Sequence, residues 1–141
     1  MEILDRSKLL AKEELEKVEV QLSETEIVFV RQMTGRERDN WEQSLRKETR
    51  DKKGTVVGYD IALNDFRAKL AVCTVCDAEG KLLLSMSDYP LLSQNMSAFK
   101  LEKIINAAQK LNAISEEDKE ALVKNLEADQ DDNSSSGSAN S

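Results

Sequence analysis

The stretch LAVCTVCDAEGKLLL (residues 70–84) holds both cysteines of the chain, Cys73 and Cys76, with two residues between them. Its first half continues a helical pattern that begins at Tyr59. Tyr59, Ala62, Leu63, Phe66, Leu70 and Cys73 share one face of YDIALNDFRAKLAVC (59–73). Val72, Thr74 and Val75 then favour extended backbone, so the stretch predicts a switch from helix to strand near Cys73. DAEG (77–80) predicts a turn closed by glycine, and KLLL (81–84) a short returning strand.

The Cys-x-x-Cys spacing also fits a metal knuckle or a redox pair. A redox pair is expected where a strand meets a helix start, because the helix dipole lowers the thiol pKa there. Here the pair ends a helix instead. The chain has no histidine, so two thiols alone do not complete a four-ligand zinc site. Buried packing is the reading the context favours.

Toward the N-terminus, MTGRERDNWEQSLRKETR (33–50) reads as a solvated helix over about 35–48. Thr34 and Glu37 have capping-box spacing. Met33, Trp41 and Leu45 fall on one side, and Arg38–Glu42 and Glu42–Arg46 have ion-pair spacing. DKKGTVVG (51–58) reads as a loop. It lacks the Gly-Lys-Ser/Thr that closes a phosphate loop. Further upstream, Val18, Val20 and Leu22 alternate with polar residues. After SETE comes IVFVRQM, predicting a β-hairpin of roughly 17–23 with 26–32. Residues 1–16 carry a short helical pattern with Ser7 as a candidate cap and Leu9, Leu10 and Leu15 on its apolar side.

Toward the C-terminus, SMSDYPLLSQNMS (85–97) predicts irregular backbone or a short helix started by Pro90. SAFKLEKIINAAQKLN predicts a helix over about 98–111, capped by Ser97, with Leu101, Ile104, Ile105, Ala108 and Leu111 as its apolar stripe. ISEEDKEALVKNLEAD predicts a partner helix capped by Ser115, with Leu122 and Leu126 inward. The short link makes the two a helical hairpin. The final DQDDNSSSGSANS lacks apolar residues to bury. The expected organisation is one domain over 1–128 and a disordered acidic, serine-rich tail over 129–141. The expected fold is mainly α with a small β component (α+β): a helical domain with one or two short β-hairpins and a C-terminal helical hairpin.

The chain has 141 residues, 40% apolar and 33% charged, with a net charge of −7. That charge gives no global attraction to nucleic acid or to an anionic membrane. The basic series Arg36, Arg38, Arg46, Lys47, Arg50, Lys52 and Lys53 is interleaved with Glu37, Asp39, Glu42, Glu48 and Asp51, which reads as a mixed solvated face. Asp60, Asp65, Asp77, Glu79 and Asp88 supply carboxylates, but no motif marks a pair for acid–base work. No nucleophile motif appears, and no catalytic, cofactor or metal residue is nominated. MEILDRSKLL does not read as a signal peptide, and no run is long enough to cross a bilayer. The remaining candidate is an apolar contact surface: Leu82, Leu83 and Leu84, which one strand face cannot hide together, with Leu91, Leu92 and Met96.

Three elements carry a resemblance: VRQMTGRERD (30–39) after the hairpin, Arg67 entering a helix that ends CTVCDAEGKLLL, and LNAISEEDKEALVKNLEAD at the close. In this order, over roughly residues 5–127, the chain resembles the tail assembly chaperones of long non-contractile tailed phages and prophages. The resemblance implies a largely helical, self-associating, non-enzymatic protein of the host bacterial cytoplasm. It would bind the tape-measure protein and promote tail-tube assembly without entering the virion. A longer frameshifted form would recruit the major tail tube protein. No cofactor, no nucleic acid and no membrane are expected as partners. The family offers no chemically defined site residues to carry over. Two other classes stand beside this one: a structural adaptor or connector retained in the phage particle, and a small enzyme or redox protein using the cysteines.

Overall fold

The computed structural model describes residues 1–61 and 65–115. The element order is α1 (Arg6–Leu10), β1 (Lys17–Gln21), β2 (Ile27–Arg31), α2 (Gly35–Ser44), β3 (Arg46–Arg50), β4 (Val56–Ile61), α3 (Phe66–Val72), β5 (Val75–Cys76), a 3₁₀ turn (Met86–Asp88), α4 (Tyr89–Asn95) and α5 (Ala98–Leu111).

β1, β2 and β5 form one antiparallel sheet in that order. Val18 pairs with Val30 and Val20 with Val28, and Val30 pairs in turn with Val75. Side chains alternate along a strand, so these valines share one face. That face meets the core: Val30 and Val75 are buried with Leu70, Ala71 and Val72 of α3 and Leu101, Ile104, Ile105 and Ala108 of α5. Each fully buried Val, Leu or Ile contributes roughly 1.5–3 kcal/mol.

The switch after α3 is made by short bonds. The N–H of Cys73 donates to Leu70 O, and that of Thr74 to Ala71 O. The buried Thr74 hydroxyl donates to Leu70 O at 2.9 Å. The Thr74 carbonyl then accepts from Arg31 N at 2.9 Å, which starts β5 on the edge of β2. In the next turn the Asp77 carboxylate accepts from Glu79 N and Lys81 N, both at 2.9 Å. Gly80 has φ 88°, a left-handed conformation that glycine adopts without Cβ strain. The expected return strand over 81–84 reduces to one bridge, Cys76 with Leu82.

Several helical expectations are corrected. α2 ends at Ser44: Leu45 is its C-cap, with its N–H donating to Glu42 O, and strand pairing with β4 takes over at Arg46. Arg46, expected on the same helix as Glu42, opens β3 instead. The loop expected over 51–58 is a tight turn at 51–55 and then the β-branched Val56 and Val57 of β4. The helix expected from Tyr59 starts only at Phe66, because strand pairing runs on to Ile61 opposite Arg46. Ala62 and Leu63 lie outside the described residues. Among the described residues the fold is therefore a mixed α/β domain with two small sheets, not a mainly helical one. α5 runs Ala98–Leu111 under its Ser97 cap. The expected second arm of the hairpin, with Leu122 and Leu126, and the 129–141 tail lie outside the described residues. The N-terminal helix is capped by Asp5, whose carboxylate accepts from Lys8 N, rather than by Ser7, and Leu15 lies beyond it.

Candidate functional site

The motif residues near 31–38 are joints of the fold. The Arg31 guanidinium makes two bonds to the Glu37 carboxylate, at 2.9 and 2.8 Å. Glu37 also completes the capping box with Thr34. Burial raises the Glu37 pKa, but the bonds from Arg31 and Thr34 outweigh it and hold the carboxyl below its ordinary value. Arg38 donates to Asn112 O at 2.8 Å, and Asn112 Oδ1 accepts from Met33 N at 2.6 Å. VRQMTGRERD and LN are thus spent on tying β2 and α2 to the end of α5. Of the basic series, Arg38 is committed here, and Arg50 to Glu48 and to Gly54 O.

The cysteines do not face each other. Cys73 caps α3 inside the main core, while Cys76 pairs with Phe29 on the opposite face of the sheet from Val75. Both are buried free thiols. Burial, with the charge of Glu37 adding to it, pushes the Cys73 thiol up to about 11. Burial raises Cys76 too. Both therefore stay protonated and unreactive near neutrality. Among the described residues no group of His, Cys, Asp and Glu is arranged to hold a metal ion, and no helix is long and apolar enough to cross a membrane.

The residues singled out for an apolar surface sit mostly around α4. Tyr89, Leu92 and Met96, at i, i+3 and i+7, turn toward the core, with Leu84 and Met86 beside them. Leu91 points away and is 63% exposed. Two contacts hold α4 on α3. The buried Lys69 ammonium sits 5.0 Å from the centre of the Tyr89 ring while donating to Ser44 O at 2.8 Å. The Ser93 hydroxyl donates to the Asp65 carboxylate at the entrance to α3.

This placement leaves a groove of about 410 Å³, lined by Leu84, Asp88, Leu91, Leu92, Asn95 and Met96. The Asp88 carboxylate is fixed at one end by the N–H of Ser85, at 2.8 Å. Four of the six residues expected at a contact surface are therefore brought together. Leu82 is half-buried by its bridge to Cys76, and Leu83 stands 58% exposed outside the groove lining.

Sequence reasoning missed a second apolar surface. α1 has no buried residue, and Ile3, Leu4, Leu9 and Leu10 are all exposed. The leucine pair was visible in the sequence, but nothing there distinguished a core-facing stripe from an unpacked one. The β3–β4 hairpin was missed as well; all five residues of β3 are exposed. No family model, curated protein or solved structure matches the chain.

Proposed function

We propose that this protein is a non-enzymatic tail assembly chaperone of a long-tailed phage or prophage. It works in the host cytoplasm, holding an apolar segment of the tape-measure protein until tube subunits enclose it. The observation that carries this reading is the α4 groove, with Leu91 exposed at its lip on a fixed helix. Docking of an amphipathic helix needs an apolar groove with a polar rim rather than a convergent set of reactive groups. The groove has Asp88 and Asn95 on its rim. The resemblance through VRQMTGRERD, DAEGK and LNAIS supplies the identity of the client. Recruitment of the tube protein by a longer frameshifted form belongs to the same proposal.

The test is co-expression with the cognate tape-measure protein. The chain keeps the client in the soluble fraction and is absent from purified particles. Leu91→Glu, a change at an exposed position, abolishes the solubilisation while the chaperone itself stays soluble and folded. Solubilisation unaffected by Leu91→Glu would overturn the groove as client site. Stoichiometric presence in particles would make the chain an adaptor instead.

A further inference from the structure

Charges that interleave along the sequence from Arg36 to Lys53 separate in the fold. Arg36 and Arg38 stay on α2 with Glu37, Asp39 and Glu42. Arg46, Lys47, Arg50, Lys52 and Lys53 all fall on β3 and its turn, against only Glu48 and Asp51. Both of those carboxylates are already engaged. Glu48 holds Arg50, and the Asp51 carboxylate accepts from Lys53 N and Thr55 N at 2.8 and 3.0 Å. Lys47 stands opposite Asp60 in the register. Arg46, Lys52 and Lys53 form no ion pair among the described residues. In a chain of net charge −7, the hairpin therefore presents a surplus of cations.

β3 also has an unused side. Its sheet has two strands, so one edge of β3 pairs with β4 and the other pairs with no strand among the described residues. Alternate residues of an antiparallel strand direct N–H and C=O to that outer edge. All five residues of β3 are exposed, and a two-stranded hairpin alone is marginally stable in water. The register shift between Thr49 and Arg50 leaves 46–49 as the regular stretch. An open strand edge takes up an extended peptide through main-chain bonds, while side chains set the choice of partner.

The geometry points to an extended acidic segment of a protein partner as the occupant of this edge. It adds as a third strand along 46–49, and its carboxylates meet Arg46 and the lysines of the turn. A nucleic-acid backbone would use the cations but not the strand edge, and the acidic remainder of the chain repels a long polyanion. None of residues 46–61 lines the α4 groove, so this partner docks apart from the groove's client and the proposal does not rest on that reading.

Fluorescence anisotropy on the full-length chain, with a labelled peptide of alternating Glu and Thr, tests the proposal. The peptide binds, and binding weakens as salt rises. Lys52→Glu with Lys53→Glu weakens it by about tenfold or more, because two attractions become repulsions. Both lysines are exposed, and the turn is held through backbone N–H groups rather than either lysine side chain, so the variant folds. A backbone N-methylated form of the peptide keeps the charge but cannot pair as a strand, and it binds about tenfold more weakly or worse. The bound peptide slows amide exchange over 46–50, and Leu91→Glu leaves its affinity unchanged. No binding, equal binding of an alternating Lys and Thr peptide or of the N-methylated one, or unchanged binding by the lysine variant each overturns the proposal. A single-stranded oligonucleotide that binds the hairpin more tightly than the peptide overturns it in favour of nucleic acid.

Discussion

Two turns in this protein are built alike and lead to different structures. In DKKGT (51–55) and in DAEGK (77–81) the aspartate carboxylate accepts from the backbone N–H two and four residues on. In each, the glycine N–H donates to the aspartate carbonyl at 3.0 Å and the glycine is left-handed, φ 84° and 88°. The first joins β3 to β4, whose hairpin meets the body at α2 and leaves every residue of β3 exposed. The second joins β5 to Leu82, and β5 is buried on both faces. The turn is local chemistry. The fate of the chain on either side of it is set by the apolar area its flanks can bury: RKETR has no apolar face to hide, whereas LAVCTVC has little else.

That contrast can be broken in order of effect. Leu70→Ala, at a fully buried position under β5, should cost about 2–5 kcal/mol in urea unfolding. Val57→Ala on the exposed hairpin should stay within about 0.5 kcal/mol. Equal losses would mean that the hairpin is as integral as the core sheet.

Arg31→Met should cost about 2 kcal/mol, because it strands the Glu37 carboxylate that Arg31 now bonds. Its pH signature is specific. Glu37 titrates below its ordinary 4.5 when folded, so its contribution is complete above that value and is lost as pH falls through the lower folded value. The acid limb of the stability curve should therefore flatten in Arg31→Met; an unchanged limb would assign acid sensitivity to other carboxylates.

Gly80→Ala and Gly54→Ala meet no atom within 4 Å and differ only in location. Each carries about 1 kcal/mol of left-handed strain. Gly80→Ala should lower the global midpoint. Gly54→Ala should mostly speed hydrogen exchange within 46–61. Two identical shifts in midpoint would erase the distinction. The smallest effect is at the thiols: Cys73 and Cys76 should resist a disulfide reagent at neutral pH until the chain unfolds.

The buried half of the fold was readable. Alternating valines in 18–30 gave the hairpin, Thr34 and Glu37 the helix start, and the stripe from Leu101 to Ala108 the long helix, because each pattern records a face that meets the core. The 46–61 hairpin was not readable. Its first strand carries charge at both faces, so no period distinguishes it from the helix before it. α2 ends where Arg46 begins to pair with β4, a tertiary event that no cap residue announces. For the contact surface, sequence named Leu84, Leu91, Leu92 and Met96 but could not separate them from Leu82, whose place depends on pairing with Cys76 across a turn. The exposure of α1 was hidden for the same reason: a leucine pair looks alike whether or not anything packs against it.

The most direct test of the α4 groove as the client site is amide hydrogen exchange on the chain alone and with its cognate tape-measure protein bound. The bound client should slow exchange in α4 and in the 82–84 segment and leave the β3–β4 hairpin as fast as before. Protection confined to 46–61, or none at α4, would contradict the groove as the place where the client docks.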